Sequence, residues 1–207
     1  MRKILYIICW ALAGVGLYSC SLDEPSYGKT TSDNYYQKES DIEQALTGAY
    51  LQLRTTWNEY ALNHYFVGDC STDDALKGGG NDGDRAEVRD LSDFTVYTTN
   101  GEVGRRWEIL YRLINRCNDV IYYAPNAIGN EELLTRYANE AKALRAFGYY
   151  CLVSTFGEVP LITTPMQPAE ILQIPRSPLE KVYECIVSDL TDASALPAKG
   201  DYSDDDA

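Results

Sequence analysis

The sequence of 207 residues contains a single histidine, His64, and its six cysteines include no Cys-x-x-Cys pair. A zinc site with two histidine ligands is therefore excluded. The sequence also lacks the Gly-x-Ser-x-Gly turn of many hydrolases and the Walker A loop of nucleotide-binding proteins. We expect no catalytic residue, no metal ligand and no cofactor. Because 31 acidic residues make carboxylate pairs inevitable, a surface glycosidase stays open as an alternative.

Basic residues are also scarce. The chain has 18 Lys and Arg against 31 Asp and Glu, which gives a formal net charge of −13. Nucleic-acid binding needs a basic surface that displaces phosphate counterions, so this class of function is excluded. The same charge argues against electrostatic docking on anionic lipid. Apolar residues nonetheless make up 45% of the chain, so a domain with a sizeable core is expected.

No apolar run is long enough for a permanent membrane span. The run at 4–18 falls short of the roughly 20 residues that a spanning helix needs, and it follows the basic Arg2 and Lys3, as in a signal peptide. The sequence LYSC at 17–20 resembles a bacterial lipoprotein box. It predicts cleavage before Cys20, whose thiol would carry lipid, with acyl chains such as palmitate as the anchor. An ordinary secretory peptide with a chance cysteine is the alternative.

The mature chain is predicted to be mainly helical, with a signal peptide at 1–19, an extended tether at 20–39 and a helical domain at 40–207. Capping boxes at 40–43 and 177–180 predict two of the helix starts. The stretch 57–102 is predicted to be irregular, with one short strand at 93–98. Hydrophobic periodicity predicts helices at 40–55, 103–124, 130–155 and 178–195.

The two longest predicted helices are joined by a short turn and should pack antiparallel. On the apolar stripe of the first helix we expect Trp107 to pack in the core and Asn118 to make buried hydrogen bonds. In the second helix we expect Arg145 to form a structural ion pair with a carboxylate. The cysteines that remain in the mature chain beside Cys20 are widely spaced, so buried thiols are favoured and disulfides are the alternative. These are Cys70, Cys117, Cys151 and Cys185.

Four segments together resemble the SusD/RagB family of glycan-binding outer-membrane lipoproteins, in their order and in their spacing. The third segment, which contains the pattern Glu-Ala-x-x-Leu-Arg-Ala-x-x-Tyr, is the most specific of them. The segments are DNYY at 33–36 with DIEQALTGAY at 41–50; WEILY at 107–111 with INRCN at 114–118; EAKALRAFGYY at 140–150 running into FGEVPL at 156–161; and RSP at 176–178 with VY at 182–183 and IVSDL at 186–190.

This resemblance implies a fold of tetratricopeptide-like helix pairs, with the chain corresponding to the N-terminal part of a longer SusD-like protein. It implies a lipid-anchored protein on the outer-membrane surface. Such a protein binds oligosaccharides or polysaccharides without catalysis and passes them to a TonB-dependent, SusC-like transporter. Asp23 and Glu24 fit a surface-export signal, or equally a solvated tether. A helical scaffold that contacts the transporter without a sugar site of its own is the alternative.

In the resembling family, the stretch between the first two long helices contributes to the glycan surface, and here that stretch is 57–102. Aromatic faces and amide groups suit sugar rings and their hydroxyls, and Tyr offers both a flat face and a polar group. The candidate glycan-binding residues are therefore Trp57, Tyr97 and Asn100. The alternative for each is a packing aromatic or a turn asparagine.

The lipid anchor yields a direct test. Replacing Cys20 with Ala should abolish incorporation of labelled fatty acid and release the protein from the membrane fraction, because the acylated thiol is lost. Unchanged membrane retention of Cys20→Ala would refute the lipoprotein interpretation.

Overall fold

The computed structural model describes residues 32–53, 60–81 and 83–198. This part of the chain is mainly helical and forms no strand, only two isolated β-bridges between Lys38 and Ile128 and between Val159 and Ser177. Single-turn 3₁₀ helices follow α3 and α5 at Asp69–Ser71 and Ala124–Asn126. The helices are α1 (Ser32–Tyr35), α2 (Glu39–Tyr50), α3 (Tyr60–Gly68), α4 (Ala86–Ser92), α5 (Gly101–Tyr123), α6 (Glu131–Phe156), α7 (Pro168–Ile171) and α8 (Leu179–Ala193).

Helices α5 and α6 form the centre of the fold, as their periodicity predicts. The side chain of Asn100 caps α5 and that of Asn130 caps α6, each accepting from two backbone amides of the first turn. Gly157, at φ +70°, ends α6. Gly148 allows the close approach of the two helices, because a Cβ at this position would lie 3.0 Å from Ile114 Cγ1.

Helices α2 and α8 pack on this central pair and divide the apolar interior into two main clusters. Ile42, Leu46 and Ala49 of α2 lie in the first cluster, against the C-terminal half of α5 and the N-terminal half of α6. Val182 and Ile186 of α8 lie in the second cluster, with the opposite halves of the central helices. The resulting order of stacked helices agrees with the mainly α-helical, paired architecture predicted from the sequence.

Both predicted capping boxes are wrong. Helix α2 begins at Glu39, and its N-cap is Lys38, two residues before the predicted Ser40; the Asp41 carboxylate accepts the Lys38 amide there at 2.9 Å. Lys38 is held there by its bridge to Ile128, a tertiary contact that the local sequence does not encode. Helix α8 has Pro178 at its N-cap and no side-chain cap.

The stretch predicted to be irregular contains two further helices, α3 and α4. With the 3₁₀ turn between them they enclose a small third apolar cluster that includes Phe66, Cys70 and Leu91. The strand predicted at 93–98 is absent. Phe94 lies in a turn at φ +56°, and its backbone amide donates to Leu91 O. This left-handed backbone conformation ends α4 and is incompatible with an extended strand.

Four cysteines of the mature chain beside Cys20 are free thiols in this structure, as favoured by the sequence. Cys70, Cys117 and Cys151 are buried, and Cys185 is half-buried.

Within the described ranges, no helix combines the length and the apolar character that crossing a bilayer requires.

Thiol labelling tests the buried cysteines. Burial raises the pKa of the Cys117 thiol to about 12, so its reactive thiolate is scarce near neutral pH. We expect iodoacetamide at pH 8 to leave Cys117 and Cys151 unmodified in the folded protein and to modify both in urea, as read by peptide mass spectrometry. A disulfide-linked peptide, or equal labelling with and without urea, would contradict this arrangement.

Candidate functional site

A buried arginine organises the contact between α6 and α8. Arg145 Nε and Nη2 donate to the two carboxylate oxygens of Asp189, each at 2.8 Å. Both side chains are almost fully buried. The paired geometry matches the planar guanidinium to the carboxylate, which is the arrangement that compensates best for removing both charges from water. The ion pair expected for Arg145 is therefore confirmed, with Asp189 as its partner.

The remaining donor of this guanidinium connects the pair to α5 and to the segment that follows α6. Arg145 Nη1 donates to Asn118 Oδ1 at 2.9 Å and to Thr163 O at 3.0 Å. Asn118, fully buried on α5, donates in turn to Ile162 O at 2.9 Å. The hydrogen-bonding role predicted for Asn118 is confirmed. One polar network thus joins α5, α6, α8 and the segment after α6.

Two tyrosines fix the same segment from the side of the central helices. Tyr149 OH donates to Ile162 O at 2.8 Å and accepts the Ile162 amide at 2.7 Å. Tyr111 OH donates to Pro160 O at 2.7 Å. Burial raises the pKa of both hydroxyls above the ordinary range, so both stay protonated donors at neutral pH.

The fixed segment forms one wall of a cleft of about 380 Å³ beside α5. Trp107 and Tyr111 form the facing wall, with ring centroids 4.8 Å apart, and Trp107 also meets Phe156 edge to face. Trp107 therefore packs as the sequence predicts, and it also lines an open surface. The cleft is lined by Trp107, Tyr111, Ile114, Asn115, Asn118, Pro160, Ile162, Ile171 and Leu172.

The chemistry of this cleft is apolar. The amide of Asn118 is engaged by the network and the hydroxyl of Tyr111 by Pro160, so the described walls offer flat and aliphatic surface with an exposed amide, Asn115. No group of three or more His, Cys, Asp or Glu within the described ranges is arranged to hold a metal ion.

The three predicted glycan-binding residues differ in whether the structure describes them and in how far they are exposed to solvent. Trp57 lies outside the described residues. Tyr97 and Asn100 share one turn, in which the Asn100 amide donates to Tyr97 O at 3.0 Å. Tyr97 is 67% exposed, whereas Asn100 is only 6% exposed.

The Asn100 side chain is engaged by the protein itself. Its Oδ1 caps α5, and its Nδ2 donates to Glu87 O at 2.9 Å. A direct role of Asn100 in glycan binding stays a prediction, and in this conformation its structural role is the cap. Phe94 lies on the same loop as Tyr97 and is 70% exposed, so it is a further candidate for contact with a sugar ring. It was missed because 93–98 was predicted to be a strand.

The family profile of SusD-like proteins, described as starch-binding and associating with the outer membrane, matches residues 21–204. The chain belongs to the SusD-like family. This membership confirms the resemblance carried by the four sequence segments, and it confirms the helical fold class.

Curated SusD-like relatives come from Formosa agariphila. SusD-like protein P2 is 30% identical over 195 residues, and SusD-like protein P25 is 26% identical over 202 residues. These matches cover 92% and 91% of the present SusD-like chain. The chain spans 37% of the length of either relative.

Solved structures show the same fold over the matched part of their chains. A laminarin-binding SusD-like protein is 30% identical, with a TM-score of 0.68 over 76% of this chain and 34% of its own. The surface glycan-binding protein A from Bacteroides fluxus is 27% identical, with a TM-score of 0.66 over 82% of this chain and 36% of its own.

Loss of the buried ion pair Arg145–Asp189 should destabilise the fold far more than loss of the more exposed ion pair between the same two helices. Arg145→Met leaves the Asp189 carboxylate buried and unpaired, which should lower the free energy of unfolding by about 3–5 kcal/mol. Arg145→Met with Asp189→Leu should recover part of this loss, because the second change removes the orphaned charge. Urea unfolding followed by circular dichroism measures both.

The matched control is Lys142→Met, which breaks a more exposed pair between the same helices, Lys142 with Asp192. Its cost should stay below about 1 kcal/mol. An Arg145→Met cost as small as that of the control would show that the network does not hold the helices together.

Proposed function

We propose that this chain is a glycan-binding protein, which binds oligosaccharides or polysaccharides without catalysing their cleavage. Membership of the SusD-like family is the observation that carries the proposal. Similar solved structures named as laminarin-binding and as surface glycan-binding support the same ligand class.

Exposed aromatic side chains on the loop after α4 support a sugar surface. Phe94 and Tyr97 stand in solvent there, on a short loop held between α4 and the capped start of α5. Aromatic faces can cover the apolar C–H faces of sugar rings, and the Tyr97 hydroxyl adds a polar group. Trp57, earlier in the same stretch, is proposed to join them.

We further propose that the protein is anchored by lipid at Cys20 to the outer membrane and is exposed at the cell surface. There it passes its glycan to a TonB-dependent, SusC-like transporter. The outer-membrane association in the family description and the lipoprotein box at 17–20 support this placement.

A scaffold that contacts the transporter without its own sugar site is the second candidate. Three observations favour it. The side chain of Asn100 is used as a helix cap, and the largely apolar cleft beside Trp107 offers few groups for sugar hydroxyls. The chain also spans only 37% of its curated relatives, so their binding residues can lie in the part that it does not match.

Affinity electrophoresis in native gels that contain laminarin, starch or other polysaccharides tests the proposal. The wild-type chain should be retarded by at least one glycan. Tyr97→Ala should reduce that retardation, because the dissociation constant for the glycan rises about tenfold. This rise corresponds to a loss of about 1.4 kcal/mol of binding free energy. Trp57→Ala should act in the same direction.

The control is Tyr122→Ala, which removes an exposed tyrosine at the opposite end of α5 and should leave the retardation unchanged. Absence of retardation on every glycan would contradict sugar binding by this chain and favour the scaffold. Release of reducing sugar that stops when one carboxylate is replaced would contradict the non-catalytic assignment.

A further inference from the structure

Negative charge is concentrated in the stretch that holds the proposed sugar surface. Residues 57–102 contain 10 Asp and Glu but only three Lys and Arg, which gives a formal charge of −7. This is more than half of the net charge of −13, and it is carried by 46 of the 207 residues. The field of these charges therefore acts on any glycan that approaches the loop after α4.

Three exposed carboxylates of this stretch lie around the loop after α4. Asp93 is its first residue, and Asp73 and Asp74 follow the 3₁₀ turn after α3. The segment that continues from them returns to the end of α4, where the Lys77 amide donates to Ser92 Oγ at 3.3 Å. A ligand on the loop thus meets carboxylates from two segments of the chain.

The exposed arginines near the loop are engaged by carboxylates. The Glu102 carboxylate lies between two of them, 3.7 Å from Arg85 Nη1 and 3.9 Å from Arg105 Nε. Arg89 Nη2 donates to Asp90 Oδ1 at 3.2 Å. These guanidinium groups are therefore partly neutralised before any ligand arrives.

The two other cations of this region are also engaged. Lys77 Nζ donates to the backbone oxygen of Asn81 at 2.9 Å. Arg106 is 5% exposed, and its Nε donates to Thr155 Oγ1 at 2.8 Å. Every Lys and Arg in the described part of 57–106 thus has a partner within the protein.

The start of α5, beside the loop, offers no substitute for these cations. Backbone amides at the start of a helix can bind an anion. Here Asn100 Oδ1 accepts the amides of Glu102 and Val103, at 3.1 and 3.2 Å. Glu87 Oε1 accepts the Gly101 amide at 3.0 Å. Side chains of the protein therefore use the donors of this first turn, and two of these side chains are carboxylates.

This arrangement suits one class of glycan and opposes another. Sulfate esters and uronic-acid carboxylates are bound by Arg, Lys or amide donors, and these groups are already engaged. Negative charge on the ligand would also meet negative charge on the protein, which is unfavourable. An uncharged sugar ring needs an aromatic face and a polar group, both of which Phe94 and Tyr97 expose.

We propose that the loop after α4 selects uncharged glycans and rejects polyanionic ones, such as sulfated or uronic-acid polysaccharides. The aromatic side chains supply the attraction, and the surrounding carboxylates supply the discrimination. This selection rests on the proposed function, sugar binding by Phe94 and Tyr97, and it adds the substrate class.

Calorimetric titration with laminarin, with starch and with a sulfate ester of each tests the selection, since parent and ester share one backbone. At about 0.1 M salt, where charges act over about 10 Å, the dissociation constant of the ester should exceed that of a bound parent at least about tenfold. At about 1 M salt, where this range falls to about 3 Å, the difference should shrink below about threefold.

A variant locates the charges responsible. Asp73→Asn, Asp74→Asn and Asp93→Asn combined remove three exposed carboxylates and keep the shape of each side chain. At about 0.1 M salt this variant should bind the ester at least about fivefold more tightly than the wild type does, because the local repulsion falls. Binding of the uncharged parent should stay unchanged.

The matched control combines Glu43→Gln, Glu131→Gln and Glu132→Gln. It removes the same charge from exposed positions on α2 and at the start of α6, at the opposite end of the central helices. These positions lie farther from the loop than charges act at about 0.1 M salt, so both glycans should bind as they do to the wild type. Circular dichroism should show both variants folded.

The selection is overturned if the ester binds as tightly as its parent, if salt leaves their difference unchanged, or if the control tightens ester binding as much as the loop variant does. In each of these cases a glycan is bound, so the proposed function stands. If neither parent nor ester binds, the proposed function fails and the selection fails with it.

Discussion

The guanidinium of Arg145 is the point on which the arrangement of the helices depends. It pairs with Asp189 of α8 through two bonds and with Asn118 of α5 and the carbonyl of Thr163 through a third nitrogen. A charge this deeply buried is tolerated only when its donors are matched by acceptors, so the network allows few alternative positions for the helices. Apolar packing supplies the bulk of the stabilisation, and this network selects the geometry.

The same network holds the segment after α6, whereas the loop after α4 lies outside it. The segment after α6 is held by Asn118, Tyr149 and Tyr111, and the cleft beside Trp107 takes its shape from it. The loop after α4 is held at its ends by backbone bonds to α4 and by the buried Asn100, and between these ends it exposes Phe94 and Tyr97. Residues on exposed loops can change without disturbing a buried core.

The long helices were predictable because their burial repeats with the helical period over six or more turns, so α5 and α6 agree with their predicted bounds to within two residues. Helices α3 and α4 were missed because each is short and carries no clear stripe. The caps failed where tertiary contacts decide them, as at Lys38. The sequence indicated that Arg145 needs a carboxylate, but it could not identify Asp189, which lies 44 residues away. For the site, local sequence did not distinguish the exposed Tyr97 from the capping Asn100.

Hydrogen exchange of the Ile162 amide measures most directly whether the network fixes the wall of the cleft. This amide donates to Tyr149 OH, and Asn118 holds the carbonyl of the same residue. In Asn118→Leu, exchange of the amides at 157–163 should accelerate at least about tenfold more than exchange of the α6 core amides, because the segment opens locally. Equal acceleration in the segment and in α6, or none in the segment, would contradict the account.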